Sequence, residues 1–316
     1  AYRSKGLMQT LLPKAIEEMR ARNQSISILM PFETTFYRPY GWELCYSQVV
    51  YEVPIHNLSQ QHKKTGNYTP VDLQNDRDIE ALQQVYGKFL ENYNGYVQRT
   101  KQGWKWILKD LECAGGHAYL LWDEQNRPAG YILYSIKENT VRAIEIGYVN
   151  LWAKKSLLGF MTNHRSQAVK ASWPAPLKDK TYLFLKDMIQ PGPVNLVQIR
   201  PFMCGRVICV KDALEGCRFP ESIRAHFSIQ IEDPHAPWNH QCFDVQIQEG
   251  KCTVEPAGEK TPDLSCSING FSQIFFGALS IEEAMESEVI TLHRPDKLQT
   301  LHAVFEPQDN FINEYF

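Results

Sequence analysis

Apolar side chains at Met8, Leu11, Leu12, Ala15, Ile16 and Met19 recur every three or four residues. That spacing lines one face of a helix and predicts one over residues 3–22. Pro13 falls inside the stripe and has no N–H, so a bend or one loosened bond is expected there. "ISILMP" (residues 26–31) is an unbroken apolar run, which predicts a buried strand of a parallel sheet. "FETTFYRPYG" reads as a short helix or turn, and a strand starts at Leu44. Residues 56–70 are polar, with Gly, Asn and Pro, and mark a linker and the first domain boundary.

A second unit follows. Asn75 is placed to cap a helix whose inner face carries Ile79, Leu82, Val85, Tyr86, Phe89 and Leu90. "HAYLLW" and "YILYSI" flank the turn "DEQNRPAG" and predict a hairpin. "VRAIEIGYV" is a further strand, and residues 156–168 a helix. After a boundary near residue 195 the texture changes. "AHFSIQIED", "CFDVQIQEG" and "KCTVEP" alternate with period two, as strands of an antiparallel sheet do. Helices come next: one with Phe271, Ile274, Phe275 and Ala278 on one face, one opened by a Ser280/Glu283 capping box, and one begun by Pro295 with Leu298, Leu301 and Phe305 inward.

Composition narrows the class. The chain has 316 residues, enough for two or three domains, and a net charge of −3, which marks no nucleic-acid binder. No run of about eighteen apolar residues occurs, so no membrane-spanning helix is expected. The eight cysteines form no C-x-x-C pair and read as reduced thiols of a cytoplasmic protein. His235 and His240 in "HAPWNH" do not match zinc spacing, and no metal site is expected.

Three stretches carry candidate chemistry. "RSKG" (residues 3–6) precedes the first helix. The first N–H groups of a helix lack internal partners and point at an anion, and a glycine lets it approach. Arg3 and Lys5 add positive charge beside Gly6. Met8 occupies the place where a complete R/Q-x-x-G-x-G/A turn has Gly or Ala. After the next strand, "FYRPYGWE" resembles the Y-x-x-x-G-F signature of the GNAT N-acetyltransferase superfamily, with Tyr37, Gly41 and Trp42 in its places. In that superfamily the turn and helix hold the coenzyme A pyrophosphate, and the tyrosine protonates the departing thiolate. The third stretch is "FEPQDNFINEYF", with four aromatics in its twelve residues. Large rings seek burial, so this end is expected to dock rather than fray.

With turn, tyrosine and aromatic end in this order, the whole chain resembles the Eis family of acetyltransferases. The resemblance implies a mixed α/β (α+β) fold in three parts. Residues 1–65 are the C-terminal half of an acetyl-CoA-binding GNAT domain, which the resemblance implies is incomplete at its N-terminus. Residues 66–195 are a second, degenerate GNAT-like domain. Residues 196–316 are a sterol-carrier-protein-like domain, entered through "IRPFMCGRV" and containing "CSINGFSQIFFGALSIEEA". The implied activity is transfer of an acetyl group from acetyl-CoA to a primary amine of an aminoglycoside- or polyamine-like small molecule, or of a protein lysine. The implied general acid is Tyr37, and the general base is the C-terminal carboxylate of Phe316. The acetyl-CoA site is implied at Arg3, Ser4, Lys5, Gly6 and Leu7, with Glu33 at its mouth. A homo-oligomer is also implied. The competing reading is an apolar-ligand-binding protein with a vestigial acyltransferase site, its pocket lined by Phe271, Phe275 and Phe276.

Overall fold

A computed structural model describes residues 6–58, 66–188, 196–258 and 260–314. In chain order come α1 (Leu7–Ala21), β1 (Ile26–Leu29), α2 (Thr34–Tyr37), β2 (Glu43–Pro54), β3 (Asn67–Pro70), α3 (Asp76–Leu90) and α4 (Lys101–Cys113). Then follow β4 (His117–Trp122), β5 (Pro128–Lys137), β6 (Thr140–Tyr148), α5 (Leu151–Met161), β7 (Lys170–Pro176), β8 (Val197–Val207) and α6 (Val210–Glu215). The last are β9 (Ala225–Glu232), β10 (Cys242–Gln248), β11 (Lys251–Pro256), β12 (Leu264–Ser267), α7 (Ile268–Phe275), α8 (Ile281–Glu286), β13 (Ile290–Leu292) and α9 (Leu298–Val304). The chain divides into two compact units. Among the described residues, unit 1 holds 6–46, 201–258 and 260–310, and unit 2 holds 47–58, 66–188, 196–200 and 311–314.

Unit 2 is a sheet in the order β2-β7-β6-β5-β4-β3 with helices on both faces. Successive side chains of a strand point to opposite faces, and β5 serves two cores accordingly. Ile132 and Tyr134 join the cluster with Leu157, Leu158 and Met161 of α5. Tyr131 and Leu133 join the cluster with Ile79, Leu82 and Val85 of α3 and with Trp104 and Leu108 of α4. The expected hairpin is β4 paired antiparallel with β5. The expected helix at 156–168 instead begins at Leu151. Asn150 supplies the cap that sets this start, its side chain accepting from Ala153 N at 2.9 Å.

One detail of unit 2 bears on ligands. β6 and β7 pair in parallel only from Thr140↔Lys170 to Arg142↔Ser172. Where neighbouring strands of such a sheet part, a crevice can admit a ligand. Here the space beside Tyr148, Trp173 and Pro174 is closed by the Lys154–Asp179 ion pair, with Tyr51 donating to Asp179 Oδ1 at 2.9 Å. The cavity left, about 10 Å³, holds at most one water.

Unit 1 contains α1, α2 and a five-stranded sheet ordered β11-β10-β9-β12-β13. The alternating segments pair antiparallel as their pattern predicts, Phe243 facing Ile229 and Val245 facing Val254. β9 and β12 run parallel. Phe227, Phe271 and Phe305 pack ring on ring, 5.9 and 6.2 Å between centroids, and Phe275 packs on Phe271 and Phe276. The capping box of α8 is formed by Ser280 and Glu283.

Two expectations for this unit are corrected. β1 is half-buried and pairs antiparallel with β8, Ile26↔Val207 through Leu29↔Cys204, so its apolar run does not mark a buried parallel strand. α1 begins at Leu7 and continues through Pro13, whose missing N–H affects only the Gln9 carbonyl on an exposed turn. Of its apolar stripe only Ile16 is fully buried, while Leu7, Met8 and Leu11 are exposed.

Candidate active site

α1 starts from Gly6, whose φ of 69° is left-handed and suits a residue without Cβ. No side chain caps this helix start. By contrast Asn75, Thr100, Asn150, Ser267 and Ser280 accept from the first turns of their own helices. Gln9 N donates to the Gly6 carbonyl at 3.0 Å, and no side chain of the capping residue takes the N–H groups of Leu7 and Met8, a helix start that favours an anion. Leu7 is exposed beside it. Arg3, Ser4 and Lys5 lie outside the described residues, as does Phe316.

Tyr37 ends α2, and Glu33 precedes that helix. Glu33 Oε1 accepts from Thr35 Oγ1 at 2.8 Å. The half-buried Tyr37 ring meets Phe32, Phe36 and Trp42 with centroids 5.5, 5.1 and 6.4 Å away. It also packs on the cluster of Ile16, Trp42, Cys204, Ile208 and Ala236, which Leu12 and Met19 of α1 join. One apolar cluster therefore fixes both the helix that Gly6 starts and the helix that Tyr37 ends. Burial pushes the Cys204 thiol up to about 11, so it stays protonated and un-nucleophilic at neutral pH.

The turn from Tyr37 to Trp42 is braced by groups distant in sequence. Gly41 takes φ 90°, and the Arg206 guanidinium of β8 lies against its Cα. Arg206 and Asp233 form a fully buried ion pair, Nη2 bonding the two carboxylate oxygens at 3.0 and 2.9 Å. The guanidinium also lies 5.5 Å from the Trp42 ring centre. Burial lowers the Arg206 pKa, and Asp233 opposes that shift. Asp233 accepts in addition from Asn239 Nδ2 at 3.0 Å and from His235 N at 3.2 Å. His235 Nε2 donates to the Pro39 carbonyl at 3.0 Å, and Asn269 Nδ2 to the Arg38 carbonyl at 3.1 Å. Arg20 of α1 stacks 4.2 Å over Trp238.

The "HAPWNH" stretch thus has structural work. His235 holds the tyrosine turn, and His240 Nδ1 accepts from Asp233 N at 3.1 Å. Among the described residues no cluster of His, Cys, Asp and Glu is placed to hold a metal, and no helix is long and apolar enough to cross a membrane. The sequence signal for the brace was a single arginine inside the apolar run "MCGRVICV", since a lone charge in a buried strand needs a partner.

Residues 1–45 match an acetyltransferase (GNAT) domain, residues 95–207 a second acetyltransferase (GNAT) domain, and residues 210–313 a sterol carrier protein domain. No curated protein sequence matches the chain. Among solved structures, a conserved protein from Enterococcus faecalis is similar over 100% of this chain and 78% of its own, at 25% identity and a TM-score of 0.86. A GCN5-related N-acetyltransferase from Anabaena variabilis is similar over 100% of this chain and 79% of its own, at 22% identity and a TM-score of 0.83. Eis1 from Mycobacterium abscessus shares the fold over 99% of this chain and 79% of its own, at 18% identity and a TM-score of 0.74. The chain is a mixed α/β protein of acetyltransferase (GNAT) domains followed by a C-terminal sterol-carrier-protein-like domain.

Proposed function

We propose that this protein is an acetyl-CoA-dependent N-acetyltransferase of the Eis type, acting on a primary amine of an aminoglycoside- or polyamine-like small molecule or of a protein lysine. The observation that carries the proposal is the pairing of an uncapped, glycine-started α1 with Tyr37 on one apolar cluster. Arg3, Ser4, Lys5, Gly6 and Leu7 would hold the pyrophosphate of acetyl-CoA, whose thioester supplies the acetyl group, and Glu33 would stand at the mouth. Arg206, His235 and Asn269 keep the tyrosine turn rigid, so the Tyr37 hydroxyl meets the leaving sulfur without reorganisation. Tyr37 gives its phenolic proton to that sulfur, which as a thiolate leaves poorly.

The C-terminal carboxylate of Phe316 accepts the proton that the attacking amine must shed. An α-carboxylate is ionised at neutral pH, and a partly desolvated site raises its basicity. Its charge also attracts a cationic acceptor. A cytoplasmic location and a homo-oligomeric state belong to the same proposal. The apolar-ligand reading has less behind it, because Phe271, Phe275 and Phe276 are engaged with other rings.

The test is release of free thiol from acetyl-CoA against a panel of primary amines. Tyr37→Phe and a one-residue extension after Phe316 should each slow the amine-dependent rate. Full rates in both variants would refute the mechanism.

A further inference from the structure

Phe32 is the most exposed large apolar side chain among the described residues of unit 1, with 73% of its surface open to solvent. Its ring is nevertheless held in place. It meets Phe36 at 5.0 Å and Tyr37 at 5.5 Å, and those two rings meet each other at 5.1 Å, centroid to centroid. The three planes are inclined at 47°, 68° and 79°, so none is covered by a stacked partner within the trio. Phe32 precedes the residue that begins α2, and Tyr37 is the fourth residue of that helix, the spacing of a hydrophobic staple. The staple accounts for the contact with Tyr37. It leaves an open ring face beside the candidate acid.

The charge of this turn is as one-sided as its surface. Phe36 N donates to the Glu33 carbonyl at 3.2 Å, so a single turn of chain joins Glu33 to Tyr37. The exposed Glu33 carboxylate takes Thr35 Oγ1 and makes no ion pair among the described residues. Arg38, the cation next to Tyr37 in sequence, is committed to Glu43. Its Nε donates to both carboxylate oxygens at 2.9 Å, and its Nη2 stands 2.9 Å from Oε1. A ring face and an uncompensated carboxylate both attract a cation, and neither rewards a neutral or anionic group.

We propose that Phe32 and Glu33 form a subsite for a second, non-reacting ammonium of the acceptor, which makes the acceptor a diamine or polyamine rather than a monoamine. This rests on the reading of Tyr37 as the general acid of an acetyl transfer. The nitrogen that attacks a thioester must first shed its proton. A subsite that favours the charged form would oppose that loss if it held the attacking nitrogen. The nitrogen it holds is therefore a different one, which stays protonated throughout. The 5.5 Å between the Phe32 and Tyr37 rings is a span that a short alkyl chain covers. Anchoring the far ammonium restricts where the near nitrogen can stand, and that orientation favours attack.

Cadaverine and pentylamine differ only in the second nitrogen and test the subsite directly. Each is titrated calorimetrically into the full chain, and each is then supplied as acceptor with acetyl-CoA. Wild type should prefer cadaverine in both measurements. Phe32→Leu keeps an apolar staple without a π face, Phe32→Tyr keeps the face, and Glu33→Gln removes the charge while keeping the shape. Phe32→Leu and Glu33→Gln should each cut the preference for cadaverine about fivefold, the worth of one exposed cation–π contact or ion pair, and Phe32→Tyr should retain it. An undiminished preference in Phe32→Leu and Glu33→Gln would overturn the subsite. So would a loss in Phe32→Tyr equal to that in Phe32→Leu, which would assign Phe32 to the staple alone. If both amines are acetylated with equal kcat/KM by wild type, the subsite falls and the acetyltransferase reading stands. If cadaverine binds preferentially and neither amine is acetylated, the acetyltransferase reading falls while the cation subsite stands.

Discussion

Gly41 and Arg206 contend for one volume: a Cβ at Gly41 would stand 1.7 Å from Arg206 Nη1. The glycine is needed there for space as well as for its left-handed backbone. Gly41→Ala should lower stability by about 3 kcal/mol, combining backbone strain with displacement of a buried side chain. Urea unfolding reads the change, and an unchanged midpoint would refute it. Arg206→Ala should be less damaging on the Gly41→Ala background than alone, because the clash is then gone.

Asp233 is the sole charged partner that the Arg206 guanidinium contacts among the described residues. Asp233→Asn keeps the shape and removes the charge, leaving a buried cation uncompensated. The expected loss is about 3 to 5 kcal/mol. Thermal unfolding checks it; a melting temperature equal to wild type would show that the pair contributes little to the turn.

Tyr37→Phe separates fold from chemistry. The ring contacts with Phe32, Phe36 and Trp42 are kept, so stability should change by less than about 1 kcal/mol. If the hydroxyl is the general acid, kcat should fall by about 10² to 10⁴ while KM for acetyl-CoA holds. A rise in KM at constant kcat would assign the hydroxyl to binding instead.

The Lys154–Asp179 pair predicts a pH signature. Burial opposes ionisation of Asp179, but the charge and hydrogen bond of Lys154 outweigh it and hold the carboxyl below its usual value of 3.8. A carboxyl depressed in the fold stabilises above its unfolded pKa, and that contribution is lost as pH falls through the folded value. The advantage of wild type over Asp179→Asn should be about 3 kcal/mol at pH 7 and should shrink only below about pH 4. An advantage independent of pH between 7 and 2.5 would exclude the linkage.

Much of the fold was legible where pattern is local. The alternation in "CFDVQIQEG" and the Ser280/Glu283 box describe β10 and α8 because both depend on residues a few positions apart. The start of α5 was misplaced because an Asn before a leucine looks like loop until its cap to Ala153 N is seen. β1 was misread because an apolar run does not reveal which way its partner strand travels. In the site, the tyrosine turn was visible as a motif, but its supports were not. Arg206 and Glu145 each appear as a charge within a short apolar stretch, "MCGRVICV" and "AIEIG", which signals buried partners. Those partners, Asp233 and Arg99, are 27 and 46 residues away, beyond any periodicity.

The parting of β6 and β7 has a consequence for stoichiometry. Lys154, Asp179, Tyr51 and Trp173 fill the opening that the diverging strands leave, and Asn150 satisfies the helix start beside it. A ligand arm entering unit 2 there would have to break a buried ion pair before gaining any contact. In a coenzyme titration this crevice should contribute no binding.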